Sequence, residues 1–151
     1  MSYLFFKLIH ILSATIMIGM GFGSAFYLYF TYRRGNETAV REVLRLVILA
    51  DTFFTAPSVV IQLVTGILLS EILGLTYSRW FWQVFGISIV IFVLWIRAAY
   101  LQILMRRILD SGSQMTPEFH RHLQAWFYLG LPSFAGSVIL YYMMVYKVSL
   151  I

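Results

Sequence analysis

Four long apolar segments, separated by three short polar breaks, fill almost all of the 151-residue chain. The segments are Phe5–Tyr29, Leu46–Leu73, Trp80–Leu104 and Ala125–Val145. A helix that crosses a bilayer needs about 20 mostly apolar residues at about 1.5 Å rise per residue, and each segment is long enough. The pattern predicts an all-α polytopic membrane protein, in which residues 1–151 form one antiparallel bundle of four transmembrane helices.

The polar breaks carry signals for helix ends. Asn36 is suited to cap a helix that begins at Glu37, and Thr116 followed by Pro117 is typical of the start of another. The second helix is therefore expected to begin before the second apolar segment. The link Gly74–Arg79 is short enough for a tight turn, which predicts that the second and third spans form a hairpin.

Composition and charge support a membrane protein. The chain is 61% hydrophobic and 11% charged, more apolar than a soluble domain of this size can bury. The absence of cysteine excludes disulfides and thiolate metal sites. The net charge of +5 is explained by membrane orientation and not by nucleic acid binding. Apart from Arg97, which lies within the third span, the cations form two groups: Arg33, Arg34, Arg41, Arg45, Arg106, Arg107 and Arg121 beside the first and third breaks, and Lys7, Arg79 and Lys147 at the opposite ends of the spans.

Because cytoplasmic loops are enriched in Lys and Arg, the first and third connections are predicted to be cytoplasmic and both termini to lie outside. Within the first span, Thr15, Gly19 and Gly23 recur every four residues, a spacing that allows helix backbones to approach closely in lipid. Pro57 and Pro132 each interrupt the backbone hydrogen bonds of a span and predict a local irregularity.

Two ionisable residues in the second and third spans lie at similar predicted depths. Asp51 and Arg97 are each about two turns inside a terminal arginine, and an unpaired charge in hydrocarbon is costly. We therefore predict that they pair or share a polar network, which Thr55, Gln62 and Thr65 are placed to extend. Such a network either holds two helices together or forms a path for protons or a substrate.

A second group of ionisable residues is predicted near the opposite membrane surface. His10 lies about two turns into the first span, one turn from Lys7, at a depth similar to that of Glu71. A carboxylate beside an imidazole prepares it to bind a metal or move a proton, and it is also a common way to satisfy a buried histidine. His120 and His122 lie near the other surface, so an axial partner for a haem at His10 would be Met143 or Met144, or the second axial position would be empty.

Several short runs resemble one family across nearly the whole chain. They are Lys7-Leu-Ile-His10, Ala50-Asp51-Thr-Phe-Phe-Thr55-Ala-Pro57 with Gln62 and Gly66, Leu101-Gln102 before Arg106-Arg107, Trp126 to Gly130-Leu-Pro132, and Met144-Val-Tyr-Lys147. This family is an uncharacterised bacterial group of predicted four-helix integral membrane proteins, a domain of unknown function. It is more distantly similar to the HemJ-type protoporphyrinogen oxidases and to the CopD membrane domain.

The HemJ resemblance implies a haem b protein of the bacterial inner membrane, with His10 as an axial ligand. It also implies a second histidine in the third span, whereas Ile91–Tyr100 contains none, and Leu129 and Gly130 replace the Asn-Glu pair expected before Pro132. Of the two haem-ligating histidines that the HemJ resemblance implies, His10 is thus the one that has a counterpart in this sequence.

Three functions remain open from the sequence. The first is a redox protein that binds haem or another tetrapyrrole through His10, with Trp126, Tyr141 and Tyr142 near the pocket. The second is a non-catalytic membrane subunit of a larger complex or of a homo-oligomer in the lipid bilayer. The third is ion or metal transport through the network around Asp51 and Arg97. The sequence does not decide whether the protein is an enzyme.

Overall fold

The computed structural model describes residues 2–112 and 114–147, and these form four long helical spans joined by short turns. The spans are α1 (Ser2–Arg33), a second span made of α2 (Glu37–Ala50), a π-helical segment (Asp51–Thr55) and α3 (Ala56–Ile72), then α4 (Arg79–Asp110) and α5 (Pro117–Tyr146). All four are long and apolar enough to cross a membrane. The all-α prediction with four spans is confirmed.

Side-chain caps define where three of the helices begin. The Asn36 side chain accepts a hydrogen bond from the Ala39 N–H at 3.1 Å, and Thr116 Oγ1 accepts one from Phe119 N–H at 3.2 Å. Ser78 Oγ plays the same role for α4, at 3.1 Å from the Phe81 nitrogen. Each cap satisfies a backbone donor that the first helical turn leaves free. The caps predicted at Asn36 and Thr116 are confirmed.

The π-helical segment in the second span directly precedes Pro57. The Ala56 N–H bonds to the carbonyl of Asp51, five residues back, instead of four. Proline has no N–H, and its ring crowds the carbonyl four residues earlier, so a wider turn at this point relieves the conflict. The irregularity predicted at Pro57 is therefore present, and it lies where the polar residues Asp51 and Thr55 enter the bundle.

The hydrophobic core occupies one end of the bundle, which we call the arginine-rich end because the turns after Arg33 and Asp110 lie there. It joins α1, α2, α4 and α5 through buried apolar side chains. These are Leu28, Val40, Leu44, Val47, Leu101, Met105, Leu109, Phe119, Leu123 and Trp126. Packing at this end fixes the four helices relative to one another.

Towards the other end the bundle separates into two helix pairs. α3 packs against α1, and α4 packs against α5, while α3 and α4 are almost without contact. Close approach within the pairs depends on glycine: a Cβ at Gly136 would lie 3.0 Å from Ile91 Cδ1, and one at Gly66 would lie 3.3 Å from His10 Cε1. The tight turn predicted between the second and third spans is confirmed, but these two spans contact each other at the arginine-rich end, where α2 packs against α4, and not beside the turn.

Basic residues mark two levels about one membrane thickness apart. Lys7 and Arg33 are 26 residues apart on α1, Arg79 and Arg106 are 27 apart on α4, and Arg121 and Lys147 are 26 apart along α5. At 1.5 Å per residue these separations are about 39–40 Å, which matches a bilayer with its headgroups. The agreement of three helices places the midplane roughly halfway between the two levels.

Within residues 2–112 and 114–147, the small-residue face of α1 makes no close packing contact at its glycines. Apart from the local backbone of α1 itself, no heavy atom of these residues lies within 4 Å of the position that a Cβ would take at Gly19 or Gly23. Thr15 is exposed, and its hydroxyl bonds to the carbonyl of Ile11 on the same helix. The close helix contact that this spacing predicts is not made by α3 or α5.

Candidate functional site

Five polar side chains lie on one face of the second span and form what we call the polar stripe. They are Asp51, Thr55, Ser58, Gln62 and Thr65, spaced by four, three, four and three residues. This spacing keeps side chains on one side of a helix. Four of them are buried and Gln62 is half-buried. The polar stripe therefore runs inside the protein for about 21 Å of helix.

At one end of the polar stripe, two neutral donors hold the Asp51 carboxyl group. Thr55 Oγ1 donates to Oδ1 at 2.7 Å, and Gln102 Nε2 donates to Oδ2 at 2.8 Å. Asp51, Thr55 and Gln102 are only 9%, 2% and 3% exposed. Both carboxyl oxygens are thus satisfied without a cation, as a buried acid requires when it has no ion-pair partner.

The predicted pairing of Asp51 with Arg97 is not the arrangement in the structure. The Arg97 side chain is exposed, with its guanidinium carbon 5.6 Å from the centre of the Tyr100 ring. Gln102 lies on the core-facing side of α4, and Arg97, five residues earlier, is about 140° around the helix from it. Arg97 is also about 7.5 Å along α4 from Gln102, so it differs from Asp51 both in level and in the side of the helix that it occupies.

At the other end of the polar stripe, His10 of α1 contacts two of its members. Its Nδ1 lies 2.8 Å from Thr65 Oγ1, and its Nε2 lies 2.9 Å from Gln62 Nε2. Ser13, one turn further along α1, places its hydroxyl 2.5 Å from Gln62 Oε1 and 2.9 Å from the His10 carbonyl. The imidazole is thus enclosed by a connected set of hydroxyl and amide groups.

The neighbouring bonds indicate which ring nitrogen of His10 carries the proton. Thr65 Oγ1 lies 2.6 Å from the Ile61 carbonyl, so its own proton points there and it accepts from His10 Nδ1–H. We therefore assign the neutral Nδ1–H form, in which Nε2 accepts from the Gln62 amide.

The same residues can also hold a protonated His10. If the Gln62 side-chain amide turns by half a rotation, its oxygen accepts from Nε2–H and its NH₂ group donates to Ser13. The Ser13 proton then goes to the His10 carbonyl, which is already 2.9 Å away. Every polar group therefore remains bonded in both protonation states, which is the requirement for a site that exchanges protons inside a membrane.

The predicted contact of His10 with Glu71 is replaced by the contact with Gln62 and Thr65. The Glu71 side chain is exposed, and Glu71 lies five residues, or about 7.5 Å of helix, beyond Gly66, over which the imidazole packs. Lys7 is also exposed, and its ammonium group lies 5.8 Å from the centre of the Tyr3 ring. Of the three residues expected to extend the network of Asp51, Thr55 does bond to it, whereas Gln62 and Thr65 bond to His10.

Met143 and Met144 belong to the other helix pair. Met143 is fully buried, and its carbonyl accepts a hydrogen bond from Trp80 Nε1 at 3.0 Å, which joins the ends of α4 and α5. At the arginine-rich end, His120 Nδ1 lies 2.7 Å from the Tyr32 hydroxyl. Within residues 2–112 and 114–147, no three His, Asp or Glu side chains come together as metal ligands would.

Comparison with known proteins supports a membrane protein but gives no activity. The model of a family described as "Predicted integral membrane protein (DUF2269)" matches residues 4–148. The chain belongs to this family. No curated protein and no solved structure matches it. Membership in the family and the four apolar spans together identify an integral membrane protein, so the function has to be argued from its buried polar groups.

Proposed function

We propose that the protein carries protons across the membrane along the polar stripe. The observation that supports this most directly is the line of five polar residues along one face of a membrane-spanning helix, with the ionisable groups Asp51 and His10 at its two ends. Polar and ionisable groups within a span are expensive and mark proton or ion pathways. The π-helical segment at Asp51 is a further feature typical of functional sites.

Proton movement would use the side chains in order. Asp51 exchanges a proton towards the arginine-rich end, and Thr55 and Ser58 continue the line of hydroxyl groups. Ser58 lies one turn from both Thr55 and Gln62, so ordered water would have to bridge these steps. Gln62 then turns its amide as His10 gains and loses its proton. A proton suits this site better than a metal ion, which would need several carboxylate or imidazole ligands in one place.

The direct test is proton entry into proteoliposomes. Vesicles that contain purified protein and the pH-sensitive dye pyranine are given a membrane potential, inside negative, with potassium and valinomycin. We expect internal acidification faster than in vesicles without protein, over a range of potentials. Equal rates in the two preparations at every potential would contradict proton conduction.

Haem binding, the function implied by the HemJ resemblance, would require a different arrangement of residues. A haem iron at His10 would need Nε2, which accepts from Gln62, or Nδ1, which donates to Thr65. Met143 and Met144 are on α5, whereas the His10 ring packs on α3. The residues present therefore do not fit a haem held between His10 and either methionine, and we propose that His10 acts without one.

An absorption spectrum tests this proposal. Protein purified from cells that are supplied with excess haem precursor is expected to show no Soret band and no α band after reduction. A stoichiometric Soret band that disappears in a His10→Ala variant would instead establish His10 as a haem ligand.

We further propose that the arginine-rich end faces the cytoplasm of a bacterial cell and that the membrane is the inner one. Seven arginines lie at or near this end, against three cations at the other.

Because the chain has no cysteine, single cysteines can report the orientation. A membrane-impermeant maleimide added to intact spheroplasts should label a Tyr77→Cys variant and not a Thr38→Cys variant. The reverse labelling pattern would contradict this orientation.

A further inference from the structure

Arg97 is an exposed charge inside the apolar part of a span. It lies nine residues, or about 13 Å, from Arg106 along α4, and therefore roughly 7 Å from the membrane midplane. Its contact within the described chain is with the Tyr100 ring. Charged residues in spans almost always face a bundle interior or pair with another group, because a charge in hydrocarbon costs several kcal/mol. Arg97 therefore needs a partner from outside the chain.

A second copy of this chain cannot supply a free carboxylate at that depth. The chain has six acidic residues. Four lie at the arginine-rich end, namely Glu37, Glu42, Asp110 and Glu118, and Glu71 lies near the opposite surface. Asp51 is buried and already bonded to Thr55 and Gln102. Apposing two copies at Arg97 would also bring like charges together, which is unfavourable.

An open apolar groove lies on the same helix pair. It has a volume of about 480 Å³ and is lined by Gly86, Val90 and Leu94 of α4 together with Pro132 and Gly136 of α5. Leu94 is one helical turn before Arg97, so the groove leads towards the arginine. Small residues along a helix surface allow another helix to pack closely in lipid.

We propose that this surface binds a transmembrane helix of a different membrane protein, and that an acidic side chain of that helix pairs with Arg97. The side chains of the partner would occupy the groove, and its carboxylate would lie near the level of Arg97. An ion pair between helices offsets part of the cost of both buried charges at once, which a purely apolar partner cannot do. Lipid phosphates lie roughly 8 Å further from the midplane than the Arg97 backbone, about the length of an extended arginine side chain, so they are the competing partner that the test has to distinguish.

Synthetic membrane-spanning peptides provide the test. Three peptides with a leucine and alanine core carry Asp, Asn or Leu about 7 Å from the bilayer centre, and their binding to the labelled protein is measured by energy transfer in vesicles. We expect the Asp peptide to bind at least about tenfold more tightly than the Leu peptide, which corresponds to about 1.4 kcal/mol. Arg97→Leu should abolish this difference, and the matched control Arg106→Gln should retain it.

Equal binding of the Asp and Leu peptides would overturn the proposal and would indicate that lipid headgroups satisfy Arg97. Preferential binding that persists in Arg97→Leu would also overturn it.

A second measurement tests whether Arg97 lacks a partner in the isolated protein. The thermal midpoint of purified Arg97→Leu should equal or exceed that of the wild type, and a clearly lower midpoint would show that Arg97 already has a structural partner. Neither experiment depends on proton conduction, so the two proposals can fail separately.

Discussion

Replacement of Asp51 with leucine is expected to lower the free energy of unfolding by about 2–4 kcal/mol. The change removes the acceptor for Thr55 Oγ1–H and for Gln102 Nε2–H, and both donors are nearly inaccessible to water. Each buried donor left without a partner costs about 1–3 kcal/mol. Hydrogen bonds between membrane helices are often weaker than this, but two orphaned donors at one dry site make the loss large.

The matched control is Asp51→Asn. The Asn oxygen can accept from Gln102, and its NH₂ group can donate to the Thr55 hydroxyl, so the unfolding free energy should change by less than about 1 kcal/mol. Unfolding in mixed micelles of mild detergent and SDS, followed by circular dichroism, measures both variants. An Asp51→Leu protein as stable as the wild type would show that the bond to Thr55 within the second span and the bond to Gln102 of α4 do not contribute to stability.

Replacement of Gln62 with leucine is expected to reduce the rate of voltage-driven proton entry by about tenfold or more. Gln62 bonds both to His10 Nε2 and to Ser13, and without its amide neither protonation state of the imidazole has a partner at Nε2. A lost buried hydrogen bond of about 1–3 kcal/mol raises the barrier for proton exchange, and each 1.4 kcal/mol corresponds to a tenfold lower rate.

Gln124→Leu serves as the control, because it is the same substitution at an exposed position at the start of α5, away from the polar stripe. It should leave the proton rate unchanged. A ¹⁵N NMR spectrum of the histidine rings is a second measurement, because it shows which ring nitrogen carries the proton. The signals of His10 should show the Nδ1–H form in the wild type and should change in Gln62→Leu. Proton entry at the wild-type rate in Gln62→Leu would exclude Gln62 from the pathway.

Sequence alone predicted the four spans and the helix caps well, since both depend on local chemistry. Span length follows from apolar runs, and Asn36 and Thr116 each cap a helix through their own side chains. The sequence also identified most of the polar residues, because polar groups in a long apolar run are conspicuous. Their partners were harder to predict, since contacts between spans depend on how each helix is rotated.

Helix rotation and helix level together account for the two wrong pairings. Asp51 and Arg97 were matched by depth, yet Gln102, about 7.5 Å further along α4 and on another side of it, is the residue that meets Asp51. In the same way, His10 meets Gln62 and Thr65 because the missing side chain at Gly66 makes room for the imidazole. The sequence did contain a signal for the position of the polar stripe: its members are spaced by four, three, four and three residues, which places them on one face of a helix.

The separation of the bundle into two pairs could not be predicted from apolar patterns. α1, α3, α4 and α5 are apolar around most of their circumference, so hydrophobicity does not specify their neighbours in lipid. Close contacts at Gly66 and Gly136 favour the pairs α1 with α3 and α4 with α5. The resulting open surface beside α4 is where Arg97 and the apolar groove lie, which connects the unusual packing with the proposed partner helix.

Proton entry into proteoliposomes with wild-type protein and with Asp51→Asn is the most direct test of conduction along the polar stripe. The two proteins are expected to fold equally well, so a difference in rate reports the ionisable group itself. Proton conduction through Asp51 predicts rapid, voltage-dependent acidification with the wild type and a rate close to that of empty vesicles with Asp51→Asn. Equal acidification rates in the two preparations would contradict it.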